Sequence, residues 1–73
     1  MHNMRSEYTA VIKQDGNWWI GWVEEIPGIN CQEPTKQELT ASLEEALREA
    51  LAFNREDARK AAGDGYSEIK LAV

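Results

Sequence analysis

The sequence predicts an α+β fold in which one long helix covers one face of a small, mostly antiparallel sheet, in the order β-β-β-α-β. Two alternating apolar segments flank an Asp-Gly turn signal, a long segment carries apolar residues at helical spacing, and a short alternating segment follows it. A chain of 73 residues has room for one domain, which we assign to residues 1–73.

The first two strands are predicted to form a hairpin. Residues 8–13 alternate in the manner of a strand, and Trp18–Val23 returns antiparallel to them. Between them, Asp15 and Gly16 predict a two-residue type I′ turn, because both of its central residues need positive φ. This turn would place three pairs of residues opposite each other: Ile12 with Trp19, Ala10 with Gly21 and Val11 with Ile20.

A short third strand and a helix start are predicted next. Pro27 and Gly28 end the second strand, because proline lacks a ladder donor and glycine permits a sharp turn. Residues 29–32 are expected to form the third strand. Thr35 is the predicted N-cap, and Glu38, three residues later, completes a capping box.

The helix is predicted over residues 36–61, where the glycine-containing segment 63–65 would stop it. Its apolar stripe has six members at helical spacing: Leu39, Leu43, Ala46, Leu47, Ala50 and Phe53. Beyond the glycines, apolar residues alternate again in residues 66–73, at Ile69, Leu71 and Val73. This alternation predicts the last strand.

The three tryptophans divide between the two faces of the sheet. Trp19 shares a face with Ala10 and Gly21, whose small size would let a helix approach closely, so we expect the helix there. The other face would then be bare and is predicted to contact a second copy or a partner. Its apolar residues are Val11, Trp18, Ile20 and Trp22. In the alternative, the faces are exchanged or loops cover the second one.

Composition favours a protein partner over nucleic acid. The 13 acidic and 8 basic residues give a net charge of −5, which repels phosphate backbones and attracts a basic protein. The helix adds a candidate acidic partner face at Glu44, Glu45 and Glu49. No apolar run approaches the roughly 20 residues of a membrane span and no signal peptide is recognised, so we expect a cytoplasmic protein.

Candidate catalytic groups are sparse, and we expect neither an enzyme nor a cofactor. Asp15, Glu24 and Glu25 are carboxylates that a metal-dependent nuclease could use, but Asp15 suits the turn and the two glutamates would point in opposite directions. Cys31 is the only cysteine and His2 the only histidine, which excludes an intrachain disulfide and disfavours a metal site.

Several short motifs follow one another in order between residues 8 and 51. They are Tyr8-Thr9-Ala10-Val11-Ile12, Asp15-Gly16, Trp19-Ile20-Gly21-Trp22-Val23, Glu25-Ile26-Pro27-Gly28, and a helix start with Thr35, Glu38, Glu45 and Ala46. This ordered set resembles the HicB-like antitoxin family. The resemblance implies a module that neutralises a small basic ribonuclease toxin by covering its RNA-contacting surface and blocking its catalytic histidine.

The sequence departs from the family pattern at three points. Glu33 and Pro34 stand where the family has glycine and aspartate, and Leu39 replaces an alanine after the first helix glutamate. Complete members continue into a C-terminal DNA-binding domain, which is not found before Val73, so the resemblance implies the stand-alone, toxin-neutralising form. The alternative is an orphan homo-oligomeric module with a small-molecule or peptide ligand. In both cases a homo-oligomer is expected, with a dimer preferred over a tetramer.

Overall fold

The computed structural model describes residues 7–72, which form one antiparallel sheet and one helix. The sheet contains β1 (Ala10–Asp15), β2 (Trp18–Val23) and β3 (Asn30–Glu33), in the spatial order β1-β2-β3. The helix α1 (Lys36–Ala62) follows. This confirms the predicted α+β class and the order β-β-β-α.

The predicted last strand does not form. Residues 66–72 pair with no strand of the sheet, and Val73 lies outside the described residues. Ile69 and Leu71 alternate as a strand requires, yet both are 79% exposed. An alternating segment becomes a strand only when a neighbouring strand completes its backbone hydrogen bonds, and within the described chain this segment has no such neighbour.

The turn of the hairpin lies one residue further along the chain than predicted. Gly16 and Asn17 form the turn, and Asp15 lies opposite Trp18. Gly16 has a φ of 64°, while no non-glycine residue in the described part of the chain has positive φ. The turn therefore has the type II′ pattern, which needs a left-handed residue only at its first position, and the predicted type I′ turn is wrong.

This shift changes the register but preserves the faces. The observed partners are Ile12 with Gly21, Ala10 with Val23 and Val11 with Trp22. The opposing residue moves by two positions relative to the prediction. Because side chains alternate with a period of two, a shift of two leaves every side chain on its predicted face.

Capping interactions define both ends of α1. The Thr35 hydroxyl accepts a hydrogen bond from the Glu38 backbone N–H at 3.1 Å and donates one to the Glu38 carboxylate at 3.0 Å. The predicted N-cap is thus correct, although the glutamate returns to the hydroxyl and not to the backbone as in a capping box. At the other end, the Gly63 N–H donates to the Arg59 carbonyl at 3.2 Å, and Gly63 has a φ of 74°.

The core lies between α1 and one face of the sheet. Its buried members are Val23, Ile29, Leu39 and Leu43. Gly21 is essential to this contact: a Cβ there would lie 2.9 Å from Ile12 Cγ2 and 3.1 Å from Leu43 Cδ1. The helix therefore covers the face that carries Gly21 and Trp19, as the sequence predicts.

Only the first part of α1 packs on the sheet. A helix of 27 residues is about 40 Å long, whereas six-residue strands reach about 20 Å. All residues from Ala52 to Ala72 are exposed. Phe53, predicted to belong to the buried stripe, is 67% exposed because it lies in this overhang, residues 52–62, beyond the end of the sheet.

We expect Leu39→Ala to lower the free energy of unfolding by about 2–5 kcal/mol, because it leaves a cavity at a fully buried position. Phe53→Ala is the matched control: it deletes a larger but exposed side chain and should change this free energy by less than about 0.5 kcal/mol. Urea denaturation followed by circular dichroism measures both. Comparable losses would mean that α1 packs along its whole length.

Candidate functional site

The face of the sheet opposite α1 carries a cluster of apolar side chains that the helix does not cover. Trp18 is 45% exposed and Trp22 is 37% exposed, while Val11 and Ile20 between them are half-buried. Val11 lies directly opposite Trp22 across the β1–β2 ladder. We call these four residues the aromatic face. Two large rings beside two branched side chains form a continuous apolar surface of the kind that protein interfaces use.

Polar residues border the aromatic face. Lys13 lies opposite Ile20 on β1, and Gln32 and Asn30 lie opposite Ile20 and Trp22 on β3. Between β2 and β3 lies a shallow groove of about 320 Å³, and its lining includes Ile20, Trp22, Asn30 and Gln32. An apolar centre within a polar rim is the usual anatomy of a protein interface.

The third tryptophan has a structural role. Trp19 points to the helix side of the sheet, where it is half-buried against the core. The Lys36 ammonium lies 5.9 Å from the centroid of its ring, within the range of a cation–π interaction. Trp19 is the tryptophan that packs against the core. Because side chains alternate along β2, Trp18 and Trp22 lie on the aromatic face.

The three candidate acidic residues of α1 are exposed, but they do not form one cluster. Glu45 and Glu49 are one turn apart and share a flank of the helix with Glu38 and Glu56, which follow the same spacing. Glu44 is on the other flank, where it lines a groove beside β1. We call the flank with Glu38, Glu45, Glu49 and Glu56 the acidic flank.

The carboxylates considered for catalysis are far apart and partly engaged. Asp15 is next to the turn, whereas Glu24 and Glu25 follow the opposite end of β2, roughly 20 Å away at the rise of a strand. Glu25 accepts a hydrogen bond from the Thr9 backbone N–H at 2.9 Å, and this bond lowers the pKa of the Glu25 carboxyl. Within residues 7–72, no three potential ligands converge to hold a metal ion.

Cys31 does not have the environment of an activated nucleophile. It is half-buried in β3, and burial, followed by the charge of Glu33, raises the pKa of its thiol. The thiol is therefore protonated at neutral pH and only weakly reactive. His2, the one histidine of the sequence, lies outside the described residues.

The structure contains a second surface that sequence patterns did not reveal. A groove of about 230 Å³ runs between the open edge of β1 and the helix. Its main lining residues are Tyr8, Ala10, Ile12, Leu43, Glu44 and Leu47. We call it the edge groove. The groove exists because α1 packs over β2 and β3 and leaves β1 largely uncovered. The sequence did not predict it, because the alternation of side chains does not indicate how far across a sheet a helix lies.

Comparisons with known proteins give no assignment. No protein-family model matches the chain, and neither the curated proteins nor the solved structures include a significant match. Within the part of the chain that the structure describes, no helix has the length and apolarity needed to cross a membrane. The aromatic face, the acidic flank and the edge groove are therefore the features from which a function is inferred.

Replacing Trp18 and Trp22 together by serine should lower the molar mass of the protein in solution at least twofold, as measured by light scattering at micromolar concentration. Burying one large apolar side chain stabilises a contact by roughly 1.5–3 kcal/mol, and a two-fold contact would use each tryptophan twice. Phe53→Ser, at an exposed aromatic outside this face, is the control and should leave the mass unchanged. A wild-type monomer, or an unchanged mass in the double variant, contradicts an interface on the aromatic face.

The purified protein is expected to show no metal-dependent cleavage of RNA or DNA, because metal-dependent nucleases need several carboxylates that converge on the ions. Incubation with labelled RNA and DNA in Mg²⁺ or Mn²⁺ tests this. Cleavage that persists through purification and disappears in Asp15→Ala or Glu24→Ala would refute it.

Proposed function

We propose that this protein is a non-catalytic, protein-binding module of the HicB-like antitoxin type. It would bind a small basic ribonuclease toxin, cover the RNA-contacting surface of the toxin and block its catalytic histidine. The observation that carries the proposal is the acidic flank of α1, a row of exposed carboxylates that a basic partner can contact. The ordered motifs that resemble the family direct the proposal to a toxin.

Charge supports a basic partner. The net charge is −5, and the acidic flank extends along about five turns of α1 between Glu38 and Glu56. The ion pair in the described part of the chain joins Arg59 to Glu68, outside this flank. Within residues 7–72, the Glu38 carboxylate accepts a hydrogen bond from the Thr35 hydroxyl, and the carboxylates of Glu45, Glu49 and Glu56 are available to attract a cationic protein. Such attraction increases the association rate, while buried apolar contacts determine how long the complex lasts.

Self-association and partner binding would use different sides of the molecule. The aromatic face is on the outer surface of the sheet, and the acidic flank is on the helix layer. We therefore propose that the aromatic face forms a homo-oligomer, with a dimer as its basic unit, and that the acidic flank binds the toxin. The protein would act in the cytoplasm, where RNA is the target of the toxin. No cofactor is part of this proposal.

A second candidate is a homo-oligomeric module that binds a peptide or a small molecule. The shallow groove between Ile20, Trp22, Asn30 and Gln32 favours it, since a volume of about 320 Å³ and mixed polar and apolar lining are typical of ligand sites. The neighbouring reading frame separates the two candidates. A short basic protein with a candidate catalytic histidine favours the antitoxin, and an unrelated neighbour favours the ligand-binding module.

Co-expression of this chain with such a basic neighbour should restore growth, and the two proteins should co-purify. Glu45→Lys with Glu49→Lys should reduce the association rate constant at least about tenfold at low salt, and much less at high salt, where charges are screened. Stopped-flow mixing at two salt concentrations measures this.

The matched control is Glu24→Lys with Asp64→Lys. It produces the same change in net charge at exposed positions away from the acidic flank. Equal effects of the two double variants would assign the attraction to net charge and not to the flank. Failure of the wild-type protein to bind the neighbour or to restore growth would refute the antitoxin function for this pair.

A further inference from the structure

We propose that residues 66–72, here called the arm, bind as an added β-strand along β1 of a second copy of this chain, with Ile69 and Leu71 in its edge groove. The inference goes beyond the proposed function and does not depend on a toxin. It brings together three features that the monomer leaves unused: an open strand edge, an apolar groove beside it, and an alternating segment without a neighbouring strand.

Within residues 7–72, no strand lies beside the outer edge of β1, and its backbone groups can accept another strand. The Glu24 N–H donates to the Thr9 carbonyl at 2.9 Å, which identifies these two residues as a hydrogen-bonded pair of the ladder. Antiparallel pairs alternate, so the backbone N–H and C=O groups of Ala10, Ile12 and Gln14 point away from β2. An unpaired edge of this kind is a template for strand addition.

The side chains of the arm match the groove next to that edge. Ala10 and Ile12 line the edge groove together with Leu43 and Leu47 from the helix. In an extended arm, Ile69 and Leu71 share one face, and Glu68 and Lys70 share the other. A strand added to β1 would therefore place the two apolar side chains in the groove and the two charged ones in solvent.

The arm does not occupy the groove of its own chain, because Ile69 and Leu71 are both 79% exposed and no arm residue lines the groove. Arg59 Nε donates to Glu68 Oε2 at 2.7 Å, so Glu68 lies beside the end of the helix. Leu71 follows Glu68 by at most about 10 Å of extended chain. The helix, however, rises about 18 Å from Arg59 back to Leu47, the groove residue nearest its C-terminal end.

The dimensions of the monomer also indicate a second copy. Its radius of gyration is 15.5 Å, whereas a compact domain of this length has about 11 Å. The overhang and the arm, in which every described residue is exposed, lie outside the packed core. Each copy has both an arm and an edge groove, so the simplest closed arrangement is a reciprocal exchange about a two-fold axis. Together with the aromatic face, this second contact would produce a tetramer.

Disulfide crosslinking between different chains tests the proposal directly. In a Cys31→Ser background, one chain carries Ala10→Cys and a second, larger tagged chain carries a single cysteine at one arm position from 67 to 71. The two are mixed and oxidised mildly. We expect the yield of the mixed disulfide to be several-fold higher for positions 67, 69 and 71 than for positions 68 and 70, because a bound strand turns alternate side chains toward the groove.

Two outcomes would overturn the proposal. One is an equal yield at all five arm positions, as expected from random collision. The other is an intrachain disulfide, without covalent dimer, when Ala10→Cys and Leu71→Cys are in the same chain. The Trp18→Ser, Trp22→Ser double variant should keep the period-two pattern, which separates this contact from the aromatic face.

Molar mass provides an independent measurement. Ile69→Asp with Leu71→Asp should halve the mass in light scattering and leave the circular dichroism spectrum unchanged, because neither side chain contributes to the monomer core. The matched control, Lys70→Asp, makes the same change of −2 in net charge on the other face of the arm and should retain the wild-type mass. An unchanged mass in the first variant would also overturn the proposal.

Discussion

The close contact between Leu43 and Gly21 determines which side of the sheet the helix occupies. A Cβ at position 21 would lie 3.1 Å from Leu43 Cδ1 and 2.9 Å from Ile12 Cγ2, so a larger residue would crowd the contact between α1 and β2. Once the helix lies there, Trp19 is covered, and the alternation of β2 places Trp18 and Trp22 on the opposite surface. One small residue thus fixes both the core and the exposed aromatic face.

The core that results is small for the length of the chain. Its four buried residues all lie between Val23 and Leu43, and the last third of the chain adds none within the described residues. Domains of this size have marginal stability, on the order of 5 kcal/mol. Any partner that binds only the folded chain raises its stability by mass action. Assembly and stability are therefore linked in this protein.

Local patterns predicted the features that depend on neighbouring residues. Alternation assigned Val11, Trp18, Ile20 and Trp22 to one face, and it did so despite the wrong turn type, because the register shift was an even number. The Thr35 N-cap followed from hydrogen-bonding chemistry within one turn. Features that depend on how the helix and the sheet are placed relative to each other could not be predicted from local patterns. Phe53 fits the helical stripe but lies beyond the end of the sheet, and residues 66–72 alternate but have no strand to pair with in the described chain. The edge groove depends on where α1 lies across the sheet.

The strands lie in the sheet in the same order as in the sequence, and this order has a kinetic consequence. Each strand pairs with its immediate predecessor, and the helix returns over the last two strands formed, so the loops that must close are short. Low contact order of this kind allows fast, unimolecular folding. The monomer can therefore fold before it meets another chain, and assembly is a bimolecular docking step whose rate depends on protein concentration and not on the folding barrier.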